Sequence, residues 1–584
     1  MTTLIPKYYE GATGSVNRSI NLKLEEFVSI QDFGAIGDGT TDNTAAIQAA
    51  FNANDAIYIP EGTYVTKLLQ PNLSRFILFG PGKLQLKQGE FSEIILVGSN
   101  PTYIHVDGVE FIGNKSNTTA TNPALRYRLL NANNSTAFAI VSNCVFHGSN
   151  YGGFSMDGKY VTIENNYVYD CGYTTGVGDG ISVVSYNPQR VYIQNNTVLN
   201  AADYGIAVDA VNAVIQGNYI SGALNAGMGS LARGATGSYS NLGINLKFLN
   251  NTLINCNNPV EIFSNPTENT SGFIGLEVSG NYINGGTSTN PAITITRNSG
   301  GYNPAGSYLY VKDNILIVGA TIAQGIGVLG QGPYWETVDV IISGNTMDTS
   351  KAIIVSSARD FIISNNVMKT TGGASAIYVS LCEYFHISDN IIDGYDTGIT
   401  STKSSGTIEH NDYLNIANYG LKLFGGQYTV NEVFKSIPNR TVWVSVNDES
   451  SVFQASVELR GNLAFQDCGA SGSPFYIADP TTLGTIYVAL ESLCNYTSNV
   501  VNCPALQSTT NANIRVEAKV AEGCYLSADS VASNIRISSG SPTSGTWIAG
   551  TKVHYTAPVS GGYIGSVCTT TGTPGTWKTY GLIS

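Results

Sequence analysis

Charge is scarce in this chain. Asp, Glu, Lys and Arg make up 12% of its 584 residues, about half the ~25% usual for soluble domains. What charge there is leans acidic, with 29 basic against 42 acidic side chains and a net charge of −13. That balance lacks the basic footprint that phosphate binding needs, so nucleic acid is not an expected partner. No basic amphipathic stretch points to a membrane surface. No apolar run reaches the ~18 residues of a membrane span, so no membrane insertion is expected. The opening MTTLIPKYYEGATG lacks the apolar stretch of a secretion signal, which argues against export by that route.

Residues for metal and nucleophilic chemistry are also thin. The five histidines, His105, His147, His386, His410 and His554, form no HExxH and no close pair; neither zinc nor another cofactor is expected. The nine cysteines are odd in number and include no CxxC. They read as reduced, mostly buried thiols, with a bridge between Cys494 and Cys503 left open. GAIGDG lacks the lysine and the strand–loop–helix setting of a phosphate loop, and ASGSP (470–474) does not spell the G-x-S-x-G of a nucleophile elbow.

Other residues are plentiful. Glycine numbers 64, apolar residues make 42% and aromatics 10%, so the chain can bury a core, unlike the polar, highly charged chains that stay disordered. Within it a phrase recurs. VTIENNYVYD (161–170) returns as VYIQNNTVLN (191–200), and alignment on the second Asn gives Asn143, Asn166, Asn196, Asn218, Asn251, Asn281, Asn314, Asn345, Asn366, Asn390 and Asn411. About nine to fourteen residues after each Asn comes a small–apolar–x–apolar phrase, such as GISV (180–183), GIAV (205–208) or AIYV (376–379). Two short strands and a fixed Asn per ~27 residues fit neither a leucine-rich repeat nor a four-stranded propeller blade. They fit a parallel β-helix of about 10–12 rungs, each ~4.8 Å above the last. Asn tolerates the left-handed turn, and stacked Asn side chains can bond from rung to rung. The flanking Ile and Val should point inward.

A solenoid needs caps. DNTAAIQAAF (42–51) reads as a short helix capped by Asp42, with Ile47, Ala50 and Phe51 as its apolar stripe. After Leu423 the Asn series stops, and the strands beyond read as β-sandwich-like modules. The expected organisation is a neck or linker over 1–27, a cap with the first rungs over 28–135, a central β-helix over 136–424, and β-rich trimerisation or carbohydrate-binding modules over 425–584.

The segment VSIQDFGAIGDGTTDNTAAIQAAF…AIYIPEGTYV (28–65) resembles the entry to pectate-lyase-like right-handed β-helices, above all those of bacteriophage tailspikes. The lead-in LIPKYYEGATGSVNRSINLKLEEF (4–27) is similar to the neck of capsule-degrading tailspikes of phages that infect encapsulated Acinetobacter. GTKVHYTAPVSGGYIGSVCTTTGTPGTWKTYGLI (550–583) is similar to their closing segment. The resemblance is weakest over about 425–545. It implies a homotrimer on the virion tail that cuts or binds a bacterial surface polysaccharide and joins the phage tail or baseplate through its N-terminus. The chain starts almost at the neck, which leaves open a removed anchor domain or a minimal one.

Glycoside hydrolysis uses two carboxyl groups, about 5–5.5 Å apart for retention and about 6.5–9.5 Å for inversion. Alternation puts the x of each small–apolar–x–apolar strand outward. Down the stack x reads Ser155, Ser182, Ala207, Gly229, Glu261, Thr294, Gly327, Ile354, Tyr378, Thr400 and Lys422, with Glu261 the only acid. The next outward column holds Asp157, Val184, Asp209, Leu231, Phe263 and Thr296. Glu261 and Asp209, two rungs apart, suit inversion, and Ser182, Ala207 and Gly229 should leave a trough for sugar. Asp179 and Asp203 sit at the mouths of adjacent strands; Asp179 is a further catalytic candidate and Asp203 a substrate contact. Glu336 is a rival acid. Tyr204, Arg233, Arg297, Tyr302, Tyr334 and Trp335 are the remaining candidate sugar contacts. The rival readings are a polysaccharide lyase, weakened because Lys422 lies far from these acids, and a receptor spike that grips glycan without cutting it. Asp448, Glu449 and Glu458 are candidates for a site shared between subunits.

Overall fold

The structure is a computed structural model. It describes residues 28–90, 92–115, 128–133, 138–172, 178–184, 190–231, 245–264, 275–285, 290–297, 307–317, 324–330, 338–446, 456–468, 475–477, 486–495 and 514–520. It also describes short stretches at 7–8, 18–19, 500–501 and 525–526, and most of 535–584. The chain forms two compact units, 1–315 and 316–584.

The first unit is a right-handed parallel β-helix, entered through a short cap. The cap helix is Thr44–Ala53, two residues later than expected, and it buries Ile47, Ala50 and Phe51 as its spacing foretold. Asp42 does not occupy the cap position. Asn43 does, with its side chain turned back onto the Ile36 amide at 2.7 Å. Asp42 instead accepts the Thr44 amide from one residue further out, at 3.1 Å.

Each rung beyond the cap contributes three strands, and each strand pairs in parallel with its counterpart one turn on. The first sheet includes Phe138–Ser142, Tyr160–Glu164, Arg190–Gln194 and Ala213–Gln216; the second includes Tyr167–Cys171, Thr197–Leu199 and Tyr219–Ser221. The third, which carries the candidate acids, runs Arg128–Asn133, Gly152–Asp157, Ile181–Val184, Tyr204–Asp209, Ala226–Leu231, Asn258–Ser264 and Ile293–Arg297. Alternation sends Ile163, Ile193, Ile215, Ile206, Met228 and Val260 into the coil, all fully buried. These columns, with Phe111, Phe146, Phe154 and Phe248 among the aliphatic residues, form the core.

The recurring Asn pair divides two tasks between neighbours. The first residue of each pair makes the left-handed turn: Asn165, Asn195 and Asn250 have φ of 52–57°, and Gly217 and Gly280 take the same place at 64° and 66°. The second is buried and builds the ladder. The Asn196 amide and side-chain Nδ2 both donate to Asn218 Oδ1, at 2.9 and 3.0 Å, while Asn196 Nδ2 also donates to the Ile163 carbonyl. The pattern repeats through Asn251, Asn281 and Asn314. Asn143 does not belong with these ladder residues. It is a turn residue at φ 55°, and Cys144 takes the ladder place, donating its amide to Asn166 Oδ1 at 3.0 Å.

In the second unit an equivalent ladder runs Asn345, Asn366, Asn390 and Asn411. Parallel stacking does not stop at Leu423. Tyr419–Lys435 pairs in parallel with Val442–Ser445 and Val457–Gln466, and the stack continues through Ile486–Asn495 to Ile514–Val520. In these rungs the buried Asn ladder gives way: left-handed corners fall on Gly425, Gly426, Ser436, Gly461 and Asp467, and Asn462 bonds Asn431 at 2.9 Å on the exposed side, so the repeat leaves the sequence while the coil persists. Antiparallel strands occur, among the described residues of this unit, at Lys552–Tyr555, Tyr563–Thr570 and Thr576–Leu582, with Ile535–Ser538 alongside in parallel and an isolated antiparallel bridge between Trp547 and Gly572. These four strands form a sheet of their own.

Cys144, Cys171, Cys256 and Cys382 are free and buried. Burial pushes the Cys144 and Cys171 thiols up to about 12, and those of Cys256 and Cys382 to about 11. Cys503 and the side chain of Cys494 lie outside the described residues. No group of His, Cys, Asp and Glu able to hold a metal ion occurs among the described residues.

Candidate functional site

The third sheet of the first unit brings the expected column into register. Ser155 pairs with Ser182, Ser182 with Ala207, Ala207 with Gly229, Gly229 with Glu261, and Glu261 with Thr294. Val184 pairs with Asp209 in the neighbouring column. Glu261 and Asp209 thus share one face, two rungs apart and two residues apart along the strand. Rungs of ~4.8 Å and residues of ~3.3 Å put their α-carbons roughly 12 Å apart.

This face is more enclosed than strand alternation alone implies. Glu261 is only 6% exposed, and Ser155, Ser182 and Thr294 are buried as well. One cause is Tyr204. Its hydroxyl donates to Glu261 Oε2 across two rungs, and its ring is 1% exposed. The rung between them holds Gly229, where a Cβ would stand 2.9 Å from the Tyr204 ring and 2.0 Å from the Glu261 carbonyl oxygen. The glycine expected to open a trough for sugar is instead the gap through which the tyrosine reaches the acid. Tyr204 therefore has its ring buried against the protein and its hydroxyl on a carboxylate.

The other described carboxylates each have local partners. Asp209 is half-buried and accepts the Ser230 hydroxyl at 3.3 Å. Asp203, buried, accepts the Asn225 amide at 2.8 Å. Asp179 stands at the strand mouth, where its carboxylate takes the Tyr204 backbone N–H at 3.4 Å and its carbonyl takes the Gly153 N–H at 3.0 Å. Asp179 thus stands just before the strand Ile181–Val184, Tyr204 and Asp209 lie on the next strand, and Glu261 lies two rungs further on. Ser230 and Asn225 were not singled out from sequence. Their only signal was a polar residue one rung after each Asp.

Glu336, Arg233, Tyr302, Tyr334 and Trp335 lie outside the described residues, as do Asp448 and Glu449. Arg297 closes the strand Ile293–Arg297, and its backbone pairs with Ser264. In the second unit Glu458 is engaged by Arg460, Nε to Oε1 at 2.7 Å.

Residues 27–228 match the family described as rhamnogalacturonase A/epimerase, pectate lyase-like, and residues 279–433 match the right-handed β-helix region. No curated protein matches the chain. Among solved structures, the N-terminal fragment of bacteriophage phi29 gene product 12 is 11% identical over 81% of this chain and 87% of that one, with a TM-score of 0.41. Tailspike protein 3 of bacteriophage CBA120 is 11% identical over 98% of this chain and 72% of that one, with a TM-score of 0.33. The catalytic unit of a GH87 α-1,3-glucanase from Streptomyces thermodiastaticus is 15% identical over 71% and 69%, with a TM-score of 0.33.

Proposed function

We propose that the protein is a bacteriophage tailspike that binds a bacterial capsular or exopolysaccharide and hydrolyses its glycosidic bonds from within the chain. The observation that carries the reading is the pair Glu261 and Asp209, held on one sheet face at a spacing suited to inversion, with the Glu261 carboxylate oriented by the Tyr204 hydroxyl. The pectate-lyase-like match over 27–228 covers Asp179, Asp203, Tyr204 and Asp209 and supports action on a polysaccharide.

In this mechanism Asp209, the more open carboxylate, activates the water that attacks the anomeric carbon. Glu261, enclosed and oriented, delivers the proton to the leaving oxygen. Asp179 and Asp203 shape the strand mouths beside the pair. Arg233, Arg297, Tyr302, Tyr334 and Trp335 would supply sugar contacts from the adjoining segments, and Glu336 is the alternative acid. The protein acts as a homotrimer on the virion tail, joined to the tail or baseplate through its N-terminus, of the kind Acinetobacter phages carry.

The test is incubation of the purified protein with capsules from a panel of encapsulated hosts, with new reducing ends read by mass spectrometry and the anomeric configuration of the first product by NMR. Hydrolysis with inversion, lost in Glu261→Gln and Asp209→Asn, is the expected result. An unsaturated product absorbing in the ultraviolet assigns a lyase, and full activity in both variants removes these two residues from the mechanism.

A further inference from the structure

The second unit carries a pocket of about 380 Å³ on the outward side of its own strand stack. It is built on the strands Lys351–Ser356, Val367–Ser380, Ile391–Glu409 and Tyr419–Lys435. Register sets two columns across it. One reads Tyr378, Thr400, Lys422 and Trp443; the other reads Ser375, Thr397 and Tyr419, with Lys351 at its head.

The chemistry of the lining is specific. The Lys422 ammonium lies 4.2 Å from the centre of the Tyr419 ring and 5.1 Å from that of Trp443, so two aromatic faces fix a cation at the wall. Lys351 supplies a second cation. The one carboxylate, Asp396, is engaged by the Asn418 side-chain amide and by Thr397 Oγ1 at 3.1 Å. Ser375 and Thr400 hydroxyls meet at 2.9 Å on the floor, and Tyr378 and Phe424 offer ring surface. Among the described lining, two lysines against one occupied carboxylate mark a cationic stretch of wall in a chain of net charge −13. Hydroxyls and aromatic faces beside it suit the polar edges and C–H faces of a sugar, and the volume lies in the range of small-ligand sites, about 300–1,000 Å³.

We infer that this pocket binds carboxylated sugar units, with Lys351 and Lys422, three rungs apart at its two ends, each facing the carboxylate of a separate unit and the aromatic residues taking ring faces. This deepens the proposed function by naming the substrate class as an acidic polysaccharide, and it stands whether or not Glu261 cuts the chain. A net-negative protein that must approach a polyanion needs such a local reversal of sign to hold it.

The experiment is saturation-transfer NMR on the full chain with glucuronate, galacturonate and N-acetylneuraminate, and with glucose as the neutral control. At least one acid should bind, more weakly as salt is raised, and glucose should not. Lys351→Gln and Lys422→Gln should each lower the transferred saturation about twofold, by removing one of two positions, and the double variant should abolish it. Lys422→Arg should largely restore it, with melting temperatures showing that all variants fold. Glu261→Gln should bind as the wild type does, which separates this site from the cleavage site. Absence of binding by all three acids, equal binding of glucose, or unchanged binding in the double variant would overturn the inference.

Discussion

Substitution of Glu432 tests the physical basis of the second unit's ladder most directly. The series Asn345, Asn366, Asn390, Asn411 ends on this residue, which accepts the Asn411 Nδ2 at 2.7 Å, the Asn411 amide at 3.1 Å and the Tyr413 hydroxyl at 3.3 Å. Glu409 pairs with Asn431, so Glu432 stands opposite the turn residue His410. One residue short of the ladder place, it needs an arm longer than Asn. The carboxyl is 3% exposed, and burial pushes it up to about 8 despite three donors, with the Asp412 carboxylate adding to the rise. The folded chain therefore keeps a proton that the unfolded chain gives up. As pH rises from the ordinary 4.5 to about 8, stability should fall and then level off, by at most about 5 kcal/mol over 3.5 units. Glu432→Gln cannot titrate. It gives up one acceptor, at a cost of about 1 kcal/mol at low pH, and should be the more stable protein above pH 8. Urea unfolding of both proteins at about pH 5, 7 and 9 measures the difference. Amide hydrogen exchange at Asn411 keeps the readout local in a fold whose rungs open separately. A Gln–wild-type difference that stays constant across this range would refute the reasoning.

Three further outcomes follow from the same contacts. Tyr204→Phe should keep the fold and lower kcat about five- to tenfold with little change in KM, because the hydroxyl orients the Glu261 carboxyl and a hydrogen bond to a neutral group is worth roughly 1 kcal/mol; unchanged steady-state kinetics would remove Tyr204 from the site. Asn251→Ala should destabilise by roughly 2–3 kcal/mol, since it strands the buried Asn218 amide that now donates to its Oδ1 at 3.0 Å, while Asn218 Nδ2 keeps the Ile193 and Gln216 carbonyls. Chemical denaturation checks this, and a loss under about 1 kcal/mol would show the ladder to be incidental. Cys144, Cys171, Cys256 and Cys382 should resist iodoacetamide in the native protein and react after unfolding, read by peptide mass spectrometry; native alkylation of any of the four contradicts their burial.

The repeat made the winding legible before any coordinates. Ile and Val alternating about an Asn pair dictate inward and outward faces, and the register of Ser182, Ala207, Gly229 and Glu261 follows from counting along each rung. Where the Asn disappears, counting fails. The rungs between Gly425 and Val520 continue in parallel without the buried ladder, with Gly425, Gly426, Ser436, Gly461 and Asp467 supplying left-handed corners at irregular spacing. The sequence also could not show that two adjacent residues share the Asn motif's work, one supplying a dihedral angle and the other a side-chain bond, which is how Asn143 was placed one residue out of line.

Composition and periodicity alone determined a folded, acidic, β-rich solenoid with a capped first rung, because those properties depend on near neighbours and on a fixed repeat length. Only the tertiary structure decided that Tyr204 reaches past Gly229 to Glu261, that Lys422 is pinned between two rings, and that Glu432 ends a ladder of amides. Each of these contacts joins different rungs, and the direction of a side chain across rungs is set by the space its neighbours leave, which no linear spacing encodes.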